Sequence, residues 1–461
     1  MERALRFSVN AQLQSLGEAR LVRILLAMIT VGGTSCAVKL IALIKGSIVA
    51  RQFGVSPDLD AFYVAYLLPS FLGDLLAGAV VVALVPLYIR THEQKGSVAA
   101  QSFTGHVLIV TTICSLALAT LNWVLWPNLI GILGETFHQD QVRLTSSLFL
   151  LLIPALPLTV ISAIFTSVLT ARNRLGLATL APGIGIAVVT VAIYCFSSQW
   201  GIYSFAVGTT LGIAAQTVAL AVTLKFLDLQ PRIGWGGLAP TIRSFLTQIM
   251  IVVAGSAVIN LIDVIDQYSA AMIGPGKLSA LNYGNKIVLS VLGPASLAVS
   301  TAALPPLSEL VCRGDFGPAR RILKTFSMVI LAVTVPLTLL LVICSPLIVA
   351  VLFQRSAFTS YDTLQVTAVQ RFFLLQIPLH VLGMLFVSLI WSFRANWVFL
   401  VINPICLLLK IYLNSILTTI YGVPGIGLAS SITYGVSCVL LILAGTWLMR
   451  REERVRKTYS Q

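Results

Sequence analysis

The chain has 461 residues, of which 57% are apolar and only 10% are charged. Soluble domains are roughly 45–50% apolar and about 25% charged, so this composition excludes a soluble enzyme, a disordered chain and a nucleic-acid-binding protein. The formal net charge of +14 is interpreted first as an orientation signal, because Lys and Arg accumulate in the cytoplasmic connections of membrane proteins.

Apolar segments follow one another along nearly the whole chain with short connections. A spanning helix needs about 20 predominantly apolar residues, and the segments satisfy this requirement. The sequence therefore predicts an all-α polytopic membrane protein with about twelve transmembrane helices. The predicted spans are 22–46, 60–89, 104–131, 144–170, 178–198, 201–226, 244–273, 278–307, 322–353, 363–392, 397–418 and 423–449.

The two halves of the chain resemble each other weakly, since Pro154 corresponds to Pro378 and Arg172 to Arg394. Six spans in each half keep the same orientation, and parallel repeats around a central cavity are an architecture of transporters. The predicted units are a cytoplasmic N-terminal segment (1–21), an N-lobe (22–226), a cytoplasmic linker (227–243), a C-lobe (244–449) and a basic cytoplasmic tail (450–461).

The distribution of basic residues predicts the orientation. Of the 30 Lys and Arg residues, 21 fall on the side that holds the N-terminus, if Arg23, Lys225 and Lys324 at the span edges are counted there. Four fall on the opposite side and the other five lie inside the predicted spans. Because cytoplasmic connections carry the excess of positive charge, we expect both termini to be cytoplasmic.

Charged residues inside the spans are the strongest functional signal. Each costs roughly 2.5–3.5 kcal/mol at the centre of a bilayer on insertion scales, so several in one bundle predict a shared polar cavity. The five basic residues are Lys39, Lys45, Lys286, Arg371 and Lys410, and the acidic residues are Asp74, Asp263 and Asp266, with Asp60 at the outer edge of a span.

Neither a metal site nor a cofactor is predicted. The seven cysteines form no Cys-X-X-Cys pair and no cluster with histidine, which are the patterns typical of metal binding. The acidic and histidine residues of GETFHQD at 134–140 are interpreted as a solvated loop. A membrane-embedded transferase is therefore the less favoured hypothesis, as is a scaffold without transport activity.

Two segments carry a resemblance to a known family. SIVARQFGVSPDLDAFYVAYLLPSFLGDLLAGAVVVALVPLYIR at 47–90 resembles the opening of the MurJ/MviN flippases. INLIDVIDQYSAAMIGPGKLSALNYGNKI at 259–287, followed by LPPLSEL at 304–310, resembles their seventh and eighth helices. The family belongs to the superfamily of polysaccharide flippases and MATE multidrug exporters.

The resemblance implies a flippase of the bacterial cytoplasmic membrane. Such a protein moves an undecaprenyl-type lipid-linked saccharide diphosphate, such as lipid II, to the outer leaflet by alternating access. The alternatives are an exopolysaccharide or O-antigen flippase and, less favoured, a MATE-type drug/cation antiporter. We expect a monomer that contacts membrane lipids and is driven by protons or the membrane potential rather than by Na⁺.

The resemblance also implies a site for the anionic head group. Members of the family carry cavity arginines on the first, second and eighth helices, where this chain has Lys39, Lys45 and Lys286, with Gly73 and Asp74 at the second-helix position. An ammonium attracts a diphosphate as a point charge but lacks the bidentate fork of a guanidinium. Snorkelling to an interface is the alternative for these lysines. Asp74 is expected to pair with Lys39 or Lys45, and Arg371 either meets a sugar or phosphate or snorkels outward.

A second group of residues is predicted to act in coupling. Asp263 and Asp266 lie three residues apart, on one face of a helix, and some family members bind a cation between an acidic seventh and a polar eleventh helix. The eleventh span here contains LLLKIYLN, with Lys410 and Asn414. We predict a pair between Lys410 and Asp266 with Ser430 nearby, either as a tethered ammonium in place of an ion or as simple charge neutralisation. Asp60 is assigned to the same cavity or coupling group.

Overall fold

The structure is a computed structural model that describes residues 32–232 and 239–459. These residues are helical apart from short connections and contain no strand. The predicted segment 1–21 and the first ten residues of the first predicted span lie outside the described residues, as do 233–238 of the predicted linker. The helices of the first half are α1 (Gly32–Phe53), α2 (Pro57–Leu133), α3 (Gln139–Leu152), α4 (Ala155–Ala171), α5 (Leu175–Trp200) and α6 (Tyr203–Phe226).

The second half starts with three long helices. They are followed by a pair of shorter helices and by two helices that close the bundle. The elements are α7 (Ala239–Ile273), α8 (Lys277–Arg313), α9 (Phe316–Phe353), α10 (Ser360–Leu374), α11 (Gln376–Ser392), α12 (Trp397–Tyr421) and α13 (Val423–Tyr459).

Eleven helical segments in the described part of the chain are long and apolar enough to cross a membrane. One of them is α2, whose 77 residues change direction at Gly96, where φ is 83° and ψ is 178°. The predicted class, an all-α multi-pass membrane protein, is confirmed. The predicted number of spans stays a prediction, because it depends on counting the two arms of α2 separately.

Local signals set the helix ends near the predicted outer side. The hydroxyl of Ser56 accepts a hydrogen bond from the Leu59 amide at 3.3 Å, and Pro57 follows in the first turn of α2, where its missing N–H is not needed. Thr359 and Asp362 cap α10 reciprocally, with hydrogen bonds of 2.7 and 3.2 Å. Such caps satisfy amides that a helix start leaves without a partner.

The apolar cores show where the two halves meet. The larger core joins the predicted outer parts of the first half to the second half and includes Phe62, Phe149 and Leu281. A separate core fills the predicted inner part of the first half and includes the start of α7, where Phe245 packs edge-on against Phe103 at 6.2 Å. The two halves therefore pack against each other mainly at the predicted outer end. At the predicted inner end, the start of α7 is the part of the second half that packs on the first.

Candidate functional site

A cavity of about 390 Å³ lies between α1, α2, α5, α6 and α8. It contains two of the three lysines that were predicted to bind the head group, Lys45 from α1 and Lys286 from α8. The structure thus places these two residues in one cavity. The other polar lining residues are Tyr63, Tyr66, Thr209, Gln216, Asn282 and Asn285.

Two glycines let the lysines lie against the facing helix. A Cβ on Gly46 would be 2.6 Å from Lys286 Nζ, and a Cβ on Gly293 would be 2.9 Å from Lys39 Nζ. A side chain at either position would push the flexible end of the lysine aside, so the two glycines leave room for the ammonium groups where they lie. Lys39 accordingly sits against α8 about two turns beyond Lys286 and does not line the cavity.

The cavity has an uncompensated positive charge. In the part of the chain that the structure describes, no carboxylate lies within ion-pairing distance of Lys45 or Lys286, and none lines the cavity. Phe62 and Phe205 stack at 3.9 Å, and Lys45 Nζ lies 6.0 Å from the centre of the Phe205 ring. Two ammonium groups in an apolar setting attract an anion more strongly than they would in water.

The amides and phenols of the lining add hydrogen-bonding capacity. Gln216 Nε2 donates to Ser162 Oγ at 2.8 Å, and Asn285 Oδ1 is buried and has no hydrogen-bond partner among the described residues. A buried acceptor without a partner is costly, so Asn285 is suited to a ligand that brings a donor, such as a hydroxyl group. Sequence reasoning missed these residues, although NYGNK at 282–286 places two amides beside Lys286 in an apolar span.

The expected pairing of Asp74 with Lys39 or Lys45 is wrong. Asp74 is exposed, and among the described residues it has no ion-pair partner. The reason is the rotation of α2. Gly73 is buried and faces α4, where its Cβ position is 3.6 Å from Thr159, and the next residue points about 100° further around the helix.

Arg371 does not reach the cavity either. Its side chain is exposed, and its Nε donates to the backbone oxygen of Val342 on α9 at 3.3 Å. The neighbouring residues Val369, Gln370 and Phe373 are buried in the bundle, which turns Arg371 to the opposite face of α10. The assignment of Arg371 to the head-group site is therefore corrected.

Asp60 lies outside the cavity and caps a helix of the other half. It is fully buried and accepts hydrogen bonds from the Gly276 amide at 2.5 Å, the Ser279 amide at 2.7 Å and Ser279 Oγ at 2.5 Å. A carboxylate at a helix N-terminus satisfies free amides and interacts favourably with the helix dipole. We call Asp60, Gly276 and Ser279 the outer latch.

Two further hydrogen bonds to backbone oxygens reinforce the outer latch at the same end. The Ala357 amide donates to the Arg51 oxygen at 3.2 Å, and Thr136 Oγ1 donates to the Ala271 oxygen at 2.9 Å. Each joins the first half of the chain to the second. The predicted outer end is thus closed above the cavity by polar as well as apolar contacts.

A second charged group lies within α7, α12 and α13, and it contains the predicted contact between Lys410 and Asp266. Lys410 is fully buried, and its Nζ lies 2.9 Å from Asp266 Oδ1. It also donates to the Ile426 oxygen at 3.1 Å and to Ser430 Oγ. An ammonium has three protons to donate, and each has an oxygen acceptor here.

Asn414 and Ser430 complete this group. Asn414 Nδ2 donates to Asp266 Oδ1 at 2.9 Å and to Ser269 Oγ at 3.2 Å, and Ser430 Oγ lies 3.3 Å from Asp266 Oδ2. Asp263, one turn earlier on α7, is exposed and takes no part in the ion pairs between described residues. Sequence reasoning therefore predicted the contact but not the exclusion of Asp263 from it.

A multi-pass helical bundle with a charged internal cavity is the architecture of a membrane transporter. The chain belongs to the lipid II flippase MurJ family, whose sequence model matches residues 49–458. The resemblance noted in the sequence is confirmed.

Curated relatives from several bacteria match most of the chain. A protein of Thermotoga maritima named "Probable lipid II flippase MurJ" is 30% identical, with 88% of this chain and 82% of that protein covered. A protein of Burkholderia cenocepacia named "Lipid II flippase MurJ" is 24% identical, with 74% of this chain and 68% of that protein covered.

Solved structures share the fold. A structure titled as the lipid II flippase MurJ in an inward closed conformation has a TM-score of 0.77 at 22% identity, covering 90% of this chain and 87% of that chain. An inward-facing MATE multidrug transporter has a TM-score of 0.75 at 14% identity, covering 90% and 96%. The predicted relation to the MATE fold is thereby confirmed.

The outer latch generates the first prediction. Asp60→Ala leaves the Gly276 and Ser279 amides without their acceptor, which costs about 1–3 kcal/mol and favours opening at this end. A cysteine placed at Val55, which packs beside Gly276, reports this opening through its reaction with a membrane-impermeant thiol reagent. We expect it to react about tenfold faster in the Asp60→Ala variant than in the protein that keeps Asp60, since about 1.4 kcal/mol corresponds to a factor of ten.

The matched control is Asp58→Ala, because Asp58 is exposed in the same first turn of α2. It should leave the labelling rate unchanged. Equal rates in the two alanine variants, measured in a background without other reactive cysteines, would show that Asp60 does not hold this end closed.

Proposed function

We propose that this protein flips an undecaprenyl-type lipid-linked saccharide diphosphate, with lipid II as the first candidate, from the inner to the outer leaflet of the bacterial cytoplasmic membrane. The observation that carries the proposal is the cavity in which Lys45 and Lys286 lie without a carboxylate. Membership of the MurJ family and the names of the relatives support it. The protein acts as a transporter and not as a catalyst.

The cavity suits the two parts of such a head group. The ammonium groups of Lys45 and Lys286 attract the diphosphate as point charges. The amides of Asn282 and Asn285 and the nearby aromatic rings suit saccharide hydroxyl groups and ring faces. The prenyl chain stays in the lipid, where its burial costs nothing. We propose that the protein acts as a monomer, since α1, α2, α5, α6 and α8 of one chain supply the described lining of the cavity.

Transport follows by alternating access between two lobes. The N-lobe (22–226) and the C-lobe (244–449) rock against each other across the linker (227–243), while both termini stay in the cytoplasm. The head group enters from the inner side while the outer latch is closed, and release requires the bonds from Gly276 and Ser279 to Asp60 to break. A cation antiporter of the MATE type is disfavoured, because two ammonium groups without an acid would repel its substrate.

The lysines also favour a second substrate within the same class. Two ammonium groups recognise any lipid-linked diphosphate, because they lack the planar geometry that selects one arrangement of oxygens. An exopolysaccharide or O-antigen unit carried on the same kind of lipid is therefore the alternative cargo.

Complementation of bacteria depleted of their essential lipid II flippase tests the proposal. We expect the wild type to restore growth and Lys45→Gln and Lys286→Gln to reduce plating efficiency at least tenfold, because a neutral amide of similar length removes the attraction for the diphosphate. Lys39→Gln should have a smaller effect, since Lys39 lies outside the cavity.

Lys95→Gln is the matched control, because Lys95 is exposed at the opposite end of the first half; it should grow as the wild type does. Membrane abundance is measured for every variant. If the wild type is folded and inserted but does not restore growth, the cargo is another lipid-linked saccharide and not lipid II. If the Lys45→Gln/Lys286→Gln double variant restores growth fully, the proposed role of the cavity is contradicted.

We further propose that Lys410 stands where a small cation would sit, so that protons or the membrane potential drive transport without Na⁺. The support is the set of oxygens around its ammonium group, which come from Asp266, Ile426 and Ser430. Carboxylate, carbonyl and hydroxyl oxygens are also the ligands that hard cations prefer.

Lys410→Asn tests this idea by vacating the position and supplying one more oxygen. We expect NaCl to raise the Tm of the purified variant relative to choline chloride, since a ligand that binds only the folded state stabilises it. The Tm of the wild type should not respond. Lys410→Met, which fills the space without an oxygen, is the control and should also not respond. A folded Lys410→Asn variant without a Na⁺ response removes the support for ion replacement.

A further inference from the structure

We propose that the predicted inner end of α13 holds an anionic glycerophospholipid, with the head-group phosphate on Arg450 and Arg454 and an acyl chain along the apolar wall below them. The site shares no described lining residue with the two-lysine cavity and does not depend on the proposed cargo. Its basis is a pair of grooves that flank α13 and share Thr446 and Arg450.

The first groove has a volume of about 770 Å³, and the described residues that line it all belong to α13. Its apolar wall includes Leu443 and Trp447, which are 60% and 49% exposed. Its charged rim is formed by Arg450, Arg451 and Arg454. Because the rim lies one to two turns beyond the apolar wall along one helix, apolar surface and positive charge are stacked along the predicted membrane normal.

Tryptophan side chains mark the level at which the groove crosses from lipid to water. Trp447 and Trp397 meet edge to face with ring centroids 6.2 Å apart, and Trp397 is 52% exposed. The guanidinium of Arg451 lies over the Trp447 ring at 5.4 Å. Exposed tryptophans gather at the head-group level of membranes, so the arginines one turn further lie at the depth of lipid phosphates.

The second groove, of about 510 Å³, continues the positive charge toward α9. It contains Lys324 and Arg320 above an apolar floor that includes Phe386. Arg320 pairs with Glu453 at 2.7 Å, so the charge that this groove offers comes from Lys324 and Arg450. Among the described residues, no carboxylate lines either groove.

The combination of charge and apolar wall selects the ligand. The excess of positive charge in cytoplasmic connections explains the presence of arginines here but not a groove with apolar walls below them. A soluble phosphate would use only the rim. An anionic phospholipid uses both parts, and basic pockets between spanning helices on the cytoplasmic side bind such head groups.

Quenching of tryptophan fluorescence by brominated phospholipids tests the proposal. The full chain is placed in phosphatidylcholine vesicles that contain a small fraction of brominated phosphatidylglycerol or brominated phosphatidylcholine. The part of the quenching that comes from Trp447 is the difference between the quenching measured for the wild type and for Trp447→Phe. We expect brominated phosphatidylglycerol to reach half of the maximal Trp447 quenching at a mole fraction at least about fivefold lower than brominated phosphatidylcholine does.

Charge variants distinguish lipid binding at this site from nonspecific attraction of anionic lipids to the basic side of the protein. Arg450→Gln/Arg454→Gln should lose the preference, and Arg450→Lys/Arg454→Lys should keep it and so show that the fold tolerates change there. Arg90→Gln/Lys95→Gln removes two exposed basic residues from α2 and should leave the preference intact.

Three results would overturn the proposal. They are equal quenching by the two brominated lipids, a preference that survives in Arg450→Gln/Arg454→Gln, and a preference lost equally in Arg90→Gln/Lys95→Gln. Displacement of the bound lipid by millimolar inorganic phosphate would instead assign the rim to a soluble anion and also contradict a lipid site.

Discussion

The cost of holding a charge away from water governs this molecule. Such a charge persists in a bilayer only when it is paired, hydrogen-bonded or turned to a polar cavity. Lys410 is surrounded by oxygens, and Asp60 accepts three hydrogen bonds at the start of α8. Lys45 and Lys286 have no such partner among the described residues, and they meet in one cavity. We therefore propose that the unpaired charges mark the site where a ligand would supply the missing negative charge.

Helix α8 connects the outer closure to this cavity. Gly276 and Ser279, at its start, bind Asp60 of the other half, and Lys286 lies two turns further along the same helix, against Gly46 of α1. Because a helix moves largely as a unit, an opening of the outer latch would shift Lys286 relative to Lys45. The same motion would open the outer end and move apart the two positive charges that are proposed to hold the head group. In the proposed transport cycle, release of the cargo would therefore be coupled to opening of the outer end.

Features that depend on local composition could be predicted from the sequence, whereas features that depend on helix rotation or distant contacts could not. Hydropathy predicted the multi-pass helical class, and residue spacing with the family resemblance predicted the contact of Lys410 with Asp266. The cap on α8 was missed because Asp60 and Gly276 are 216 residues apart. Asp74 and Arg371 were misplaced because one residue turns a side chain about 100° around a helix, which hydropathy does not reveal.

The central claim is that the ammonium groups of Lys45 and Lys286 together recognise a diphosphate. The most direct test is the affinity of the purified protein for a prenyl-linked saccharide with a diphosphate bridge, compared with the same compound carrying a monophosphate. We expect the wild type to prefer the diphosphate at least tenfold and the Lys45→Gln/Lys286→Gln double variant to bind both with similar affinity. Equal affinities in the wild type, or a preference that survives in the double variant, would contradict the claim.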